Sequence, residues 1–118
     1  MGARLWLLEV LLAITAVCGP AIAECNIHTA IVPASAAADH AASASRNEVQ
    51  FSLSSKVEGN CPMIPDRMGE WSTSDPENTM ISAHGLATCV NATNEPVTIH
   101  NSGMIRGRPY PPATLLCK

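Results

Sequence analysis

The stretch Trp71–Cys89, WSTSDPENTMISAHGLATC, is the part of this sequence that decides the fold. Its Asp75-Pro76 pair favours turn initiation, and Ala83-His84-Gly85 predicts a second, tighter turn. The segments between and after these turns, residues 79–82 and 86–90, predict the two strands of a hairpin. No catalytic motif falls within the stretch. We therefore interpret it as a segment that specifies the fold, with the tryptophan directed inward.

The longest strand pattern lies upstream, at Glu48–Val57 (EVQFSLSSKV). Val49, Phe51, Leu53 and Val57 fall on one face of this segment, and polar residues occupy the other. A period of two residues predicts a strand with one buried face. Shorter strands are predicted at Cys25–Val32, Glu70–Thr73, Val97–Asn101 and Ala113–Cys117. In the third of these, Val97 and Ile99 are expected to point inward.

The connecting segments are rich in proline, glycine, serine and alanine. Residues 58–69 and 102–112 are expected to form loops. The alanines of residues 34–45 favour helix, but the segment has no apolar stripe. A loop with a short edge strand is expected there, and a helical turn is the alternative. About seven short strands and no convincing helix predict an all-β sandwich, because each strand has one apolar face and two sheets must cover each other.

The first 23 residues have the parts of a secretory signal peptide. Arg4 precedes an apolar run, residues 5–17, and Ala21-Ile22-Ala23 provides a small-x-small cleavage site. One alternative is an uncleaved membrane anchor, for which the apolar run is short; another is lipid attachment at Cys18. Cleavage after Ala23 predicts one mature domain, residues 24–118, that is secreted, periplasmic or held at the cell surface. No membrane span is expected after cleavage.

The charge of the predicted mature domain argues against a nucleic-acid partner. Removal of Arg4 and Glu9 leaves six basic and nine acidic residues, so the net charge stays at −3 with no basic patch. Only three aromatic residues remain, Phe51, Trp71 and Tyr110. A chain of this size buries roughly 60–65% of its unfolded surface, which gives a marginal core. Covalent stabilisation is therefore expected.

Four cysteines, Cys25, Cys61, Cys89 and Cys117, remain in the predicted domain. An even number in a small exported chain predicts two disulfides. A zinc site is the alternative, but the sequence has no Cys-x-x-Cys pair and no close cysteine–histidine spacing. No metal and no cofactor are expected.

The central stretch resembles the signature of the bacterial immunoglobulin-like group 2 domains, which run roughly W-S-S-S-D-P-x-V-A-x-V-x-x-x-G-L-V-T-A-V. The matching residues are Trp71, Ser72, Ser74, Asp75, Pro76, Ile81, Gly85, Leu86 and Thr88. The resemblance extends over residues 27–117 and implies an immunoglobulin-like sandwich. It also implies that Trp71 is the core anchor between the sheets and that Gly85 adopts a positive φ. Asn78 replaces an apolar residue of the family pattern, so the strand after it is expected to begin late.

The inferred sandwich also implies how the cysteines pair. Four cysteines allow three connectivities, and spacing alone does not choose among them. In the sandwich, the start of the first strand lies beside the end of the antiparallel second strand, which places Cys25 near Cys61. The strands that end in Cys89 and Cys117 have their ends at the opposite pole. The resemblance therefore implies the bonds Cys25–Cys61 and Cys89–Cys117.

No group of residues predicts catalysis or metal binding. The four histidines do not converge in the predicted strands, and Asp39-His40 lacks an accompanying nucleophile motif. Asp66, Asp75 and Glu77 lack the spacing of a calcium loop. Asn91-Ala92-Thr93 is a glycosylation sequon that is relevant only in a eukaryotic secretory route.

Fold alone does not give function, so two classes of binding protein are considered. The first is a secreted or cell-envelope, non-enzymatic module with a binding, adhesion or structural role, acting through loops or sheet edges on a protein or polysaccharide. Members of the resembled family occur as tandem repeats in surface adhesins similar to invasin and intimin, whereas this chain has one copy. The alternative is a small extracellular glycan- or ligand-binding protein. Arg106, Arg108 and Tyr110, in a proline-rich loop, are the predicted contact residues.

Overall fold

The computed structural model describes residues 24–118, and their regular structure consists of β-strands without a helix. The predicted signal peptide lies outside these described residues. The strands are β1 (Asn26–Val32), β2 (Ser35–Ala38), β3 (Glu48–Gln50), β4 (Ser52–Glu58), β5 (Trp71–Thr73), β6 (Thr79–Ile81), β7 (Leu86–Cys89), β8 (Val97–Asn101), β9 (Met104–Ile105), β10 (Arg108–Pro109) and β11 (Ala113–Cys117).

One side of the molecule is a four-stranded sheet in the order β2-β11-β8-β5. Strand β2 lies parallel to β11, and the other neighbours are antiparallel. Residues buried on this sheet alternate with less buried ones, as Val97, Ile99 and Asn101 do in β8. The predicted inward direction of Val97 and Ile99 is confirmed. The short edge strand expected in residues 34–45 is also present, as β2.

The other side consists of the sheet β3-β7-β6 and the antiparallel pair β1-β4. Only Phe51 separates β3 from β4, so residues 48–58 form one strand with two different partners. The first part pairs with β7, and the second part pairs with β1. The sequence predicted a single strand here; the division arises because β7 begins at Leu86 and does not extend along β4.

The two sides share one apolar core, which makes the all-β arrangement sandwich-like. Phe51, Ile99 and Leu115 are fully buried and are the largest side chains within it. The Cys89–Cys117 disulfide joins β7 of one side to β11 of the other. The second disulfide, Cys25–Cys61, connects the start of β1 to the segment after β4. Both bonds agree with the pairing that the sandwich implied.

The turns of the central stretch form as the sequence predicted. The backbone oxygen of Asp75 accepts hydrogen bonds from the backbone nitrogens of Asn78 and Thr79, at 3.2 and 3.0 Å. Strand β6 starts only at Thr79, because Asn78 belongs to this turn and donates to the Asp75 carboxylate. Gly85 has a φ of 85° between β6 and β7. A Cβ there would overlap the carbonyl oxygen of Phe51, so both conformation and space require glycine.

Two expectations about buried side chains need correction. Trp71 is only partly buried and packs against the core from β5, an edge strand, whereas Phe51 occupies the centre. Leu53 and Val57, expected on the buried face, are 40% and 38% exposed. They are exposed because β4 has a neighbouring strand on one side only, so little of the molecule covers that part of the sheet.

Candidate binding surface

The hairpin β9–β10 lies within the loop that the sequence predicted for residues 102–112. Its two central residues, Arg106 and Gly107, have positive φ values of 50° and 83°. Positive φ at both positions is the signature of a type I′ turn, the tightest connection between two strands. The backbone nitrogen of Arg106 donates to the Asp66 carboxylate at 2.9 Å, which holds this turn against the preceding loop.

The loop of residues 59–70, named here the methionine loop, is fastened along the hairpin. Arg67 and Met104 exchange two backbone hydrogen bonds, at 2.8 and 3.0 Å. The backbone nitrogen of Glu70 donates to the Ser102 hydroxyl at 2.9 Å, and the backbone nitrogen of Ser102 donates to the backbone oxygen of Glu70 at 3.1 Å. The Cys25–Cys61 disulfide fixes the other end of the loop. The loop is therefore held at both ends although it contains no strand.

The methionine loop nevertheless exposes large apolar side chains. Met68 is 94% exposed, Met63 85% and Ile64 47%. Ile64 lies near the turn of the hairpin, because its side chain would be 3.5 Å from a Cβ at Gly107. Methionine side chains are flexible and polarizable, and they recur at surfaces that adapt to their partners. Exposed apolar side chains grouped on an ordered loop are typical of an interaction site.

A groove of about 390 Å³ separates the methionine loop and the hairpin from β4. Its apolar lining includes Leu53, Trp71, Ile105 and Tyr110, and its polar lining includes Asp66, Arg67 and Asn101. Asn101 is buried and accepts a hydrogen bond from the backbone nitrogen of Gly103, so its role is to shape the groove. Glycine is needed on the groove wall as well, since a Cβ at Gly69 would overlap the backbone nitrogen of Gly103.

The three predicted contact residues lie on or next to the β9–β10 hairpin, but in different environments. Arg108 is exposed on β10, and Arg106 is partly buried in the turn. Tyr110 packs against the core and lines the groove. No guanidinium group of Arg67, Arg106 or Arg108 forms an ion pair within residues 24–118. This region therefore combines apolar side chains with three arginines that have no carboxylate partner among the described residues, although the guanidinium of Arg67 donates to the sulfur of Met104 at 3.6 Å.

Sequence reasoning missed the methionine loop and the position of Trp71 in the groove. The signal for the loop was present, since Pro62-Met63-Ile64-Pro65 places two large apolar residues in a segment otherwise typical of a solvated loop. The groove had no such signal, because Trp71 and Tyr110 are far apart in sequence and meet only in the folded chain.

The candidates for catalysis and metal binding do not assemble within the described residues. His40 donates from Nδ1 to the backbone oxygen of Lys118 at 2.6 Å, and that nitrogen lies 3.9 Å from the Asp39 carboxylate. The Asp75 carboxylate accepts a hydrogen bond from the Asn78 side chain within its own turn, and the Asp66 carboxylate accepts one from the backbone nitrogen of Arg106 in the hairpin turn. Residues 24–118 contain no cluster of three or more histidine, cysteine, aspartate or glutamate side chains able to hold a metal ion.

In the same range, no helix has both the length and the apolar character that crossing a membrane requires. The sequence matches no protein-family model. No curated protein matches it either.

Proposed function

We propose that this chain is an exported, non-enzymatic immunoglobulin-like module that binds a protein partner at the cell surface or in the cell envelope. The order of the strands supports the immunoglobulin-like assignment. Constant-type immunoglobulin domains place strands one, two, five and four in one sheet and three, six and seven in the other. With β1 and β2 as the two halves of strand one, and β3 and β4 as the two halves of strand two, the strands β1, β4, β3, β7 and β6 match the first sheet and β5, β8 and β11 match the second. Strand β2 departs from this order, because it pairs with β11 in the second sheet. Membership of the group 2 domains remains part of this proposal.

Export is supported by the two disulfides, which are common in small domains of oxidising compartments. The measurement that tests it is the intact mass of protein recovered from its native location. A chain that begins at Glu24 is the expected result. A mass corresponding to lipid-modified Cys18 would contradict cleavage after Ala23.

The observation that carries the binding function is the exposure of Met63 and Met68 on a loop that is fastened at both ends. Because the backbone of this loop is already ordered, binding costs little backbone entropy, and the entropy that is lost is mainly that of the flexible methionine side chains. Arg106 and Arg108 flank this surface without ion-pair partners among the described residues. The partner surface that fits best presents apolar side chains bordered by carboxylates.

Site-specific photocrosslinking tests this assignment. A benzophenone side chain placed at Met68 should capture one predominant protein from the native envelope or secreted fraction. The matched probe replaces Val90, which is also exposed but lies after β7, outside the candidate surface. Identical products from both probes would show that Met68 does not mark a specific interface.

Competition identifies the side chains that matter. An excess of unlabelled protein should abolish the crosslink, whereas the M68D variant and the R106E/R108E double variant should compete poorly. Arg46 provides the control because it is exposed in the loop before β3. The R46E variant should compete as well as the unmodified chain. Equal competition by R46E and R106E/R108E, or by M68D and the unmodified chain, would contradict the proposed surface.

The meeting of Trp71 and Tyr110 in one groove favours a second candidate, a glycan-binding protein. Aromatic faces stack on apolar sugar faces, and the polar groups of Asp66 and Arg67 lie in the same groove. A glycan array with the purified protein distinguishes the two functions. Strong saccharide binding that is lost in Tyr110→Ala would replace the protein-binding proposal.

A further inference from the structure

Strand β4 has an open outer edge. Its neighbour on one side is β1, which pairs with it along Asn26–Val32. On the other side β7 pairs with β3 only, and the register ends at Gln50 opposite Leu86. All seven residues of β4 are exposed. The sheet is therefore one strand short along the length of β4.

The hydrogen bond of Phe51 identifies which backbone groups face this open edge. The backbone nitrogen of Phe51 donates to the carbonyl oxygen of Gly85, at 2.8 Å, on the side of β7. In an antiparallel strand, the N–H and C=O of one residue point to the same side, and the side alternates along the strand. Leu53, Ser55 and Val57 therefore present their backbone groups to the open edge, while the even-numbered residues face β1.

These edge groups are free within the described part of the chain. No residue among 24–118 donates to or accepts from the backbone of Leu53, Ser55 or Val57 on that side. Open edges are templates for pairing with another strand, and proteins usually block them with proline, inward charges or bulges. β4 contains no proline, and its one lysine, Lys56, is paired with Glu58 at 3.2 Å.

We propose that the partner of this edge is a second copy of the chain, with the two β4 strands antiparallel about a two-fold axis at Ser55. Only one register pairs all three edge residues. It places Leu53 opposite the partner's Val57 and Ser55 opposite the partner's Ser55. Each such pair of residues exchanges two hydrogen bonds, so the junction contains up to about six.

The side chains of β4 are complementary to themselves in this register. On one face, Leu53 and the partner's Val57 form an apolar cross-strand pair, and the two-fold axis repeats it. On the other face, Lys56 lies opposite the partner's Ser54, so no like charges are directly opposed. A self-complementary patch is what a two-fold interface requires. A foreign strand would need no such symmetry, and this is why a second copy is preferred as the occupant.

This dimer goes beyond the proposed function and does not rest on it, since it involves the edge of β4 rather than the methionine loop. Sedimentation of the purified protein over a range of micromolar to millimolar concentrations should show a monomer–dimer equilibrium. A chain that remains monomeric throughout this range would overturn the proposal.

Ser55→Pro removes the edge N–H at the axis while leaving the pairing with β1 intact. Loss of the two central hydrogen bonds should weaken the dimer by about tenfold or more, with the thermal midpoint of the dilute monomer nearly unchanged. Ser54→Pro is the matched control, because the backbone N–H of Ser54 points toward Ala30 of β1 and away from the open edge. This variant should lower the thermal midpoint of the monomer itself. An unaltered dimer in Ser55→Pro would refute the edge contact.

A pair of charge variants tests the two-fold axis without relying on proline. If the two-fold axis passes through Ser55, residue 55 of one chain lies directly opposite residue 55 of the other. Ser55→Lys and Ser55→Asp would each place like charges against each other there, so each variant alone should be monomeric. An equimolar mixture of the two should form a heterodimer, because the lysine of one chain meets the aspartate of the other. Dimers of either variant alone, or a mixture that stays monomeric, would rule out this axis.

Discussion

Truncation of Phe51 should destabilise the domain more than truncation of Trp71, although tryptophan is the larger side chain. Phe51 is fully buried between the two sides of the fold, at the point where the pairing of residues 48–58 passes from β7 to β1. Phe51→Ala removes the whole aromatic ring from the core and leaves a closed cavity. We expect a loss of about 3–5 kcal/mol in the free energy of unfolding. This is a large part of the roughly 5–15 kcal/mol that stabilises a typical domain.

Trp71→Ala should reduce stability by a smaller amount, about 2–3 kcal/mol. The tryptophan is only partly buried, so less apolar surface is returned to water when it is removed. Its ring also lines the groove, and the vacated space would join that groove and fill with water. Much of the cost of truncating a core side chain comes from the closed cavity it leaves, and a space that opens to solvent is not such a cavity.

Urea unfolding followed by far-ultraviolet circular dichroism is the suitable assay for both variants. Tryptophan fluorescence is not suitable, because Trp71 is the only tryptophan within residues 24–118. Phe51→Leu serves as the control, with an expected loss of about 1 kcal/mol, since it preserves most of the apolar volume. If Trp71→Ala is as destabilising as Phe51→Ala, or more so, the tryptophan is the core anchor and the reasoning from burial is wrong.

Three further predictions concern the backbone, the disulfides and a buried hydroxyl group, and each is measured by urea unfolding. Gly85→Ala should lower stability by more than about 2 kcal/mol, because it combines an unfavourable positive φ with overlap on the Phe51 carbonyl. Gly107→Ala has a similar φ, but the nearest atom to the added Cβ is 3.5 Å away, so it should lose only about 1 kcal/mol. Equal losses in the two variants would contradict the steric argument. The sequence separations of 36 and 28 residues give the two disulfides nearly equal chain-entropy contributions, roughly 4 kcal/mol each. C89A/C117A should nevertheless be more destabilising than C25A/C61A, because Cys89 and Cys117 are also buried side chains of the core. A larger loss in C25A/C61A would refute this ranking. Thr79→Val should lose about 1–2 kcal/mol, because the buried hydroxyl donates to the Asp75 backbone oxygen at 2.8 Å and also contacts the Thr73 hydroxyl; a neutral effect would mean that these bonds add nothing to the turn.

The sequence by itself determined the features that depend on neighbouring residues. Alternation predicted the inward residues of β8, and Asp75-Pro76 predicted the turn before β6. Gly85 was predicted to have a positive φ, because a tight hairpin turn needs one. The even number of cysteines predicted two disulfides, and the inferred sandwich gave their pairing. Local conformational preference carries the turns, alternation carries the inward residues, and the cysteine count carries the number of disulfides; the pairing follows only once the directions of the strands are assumed.

Only the tertiary structure decided which apolar residues are covered. Periodicity placed Phe51, Leu53 and Val57 on one face, but it does not state how far the next strand extends. β7 ends its pairing at Gln50, so Phe51 is buried while Leu53 and Val57 remain exposed. Trp71 is only partly buried because its strand, β5, lies at the edge of a sheet. It meets Tyr110 in a groove that no local sequence pattern encodes. Burial depends on the neighbours that a strand has in space, and these are fixed only when the whole chain has folded.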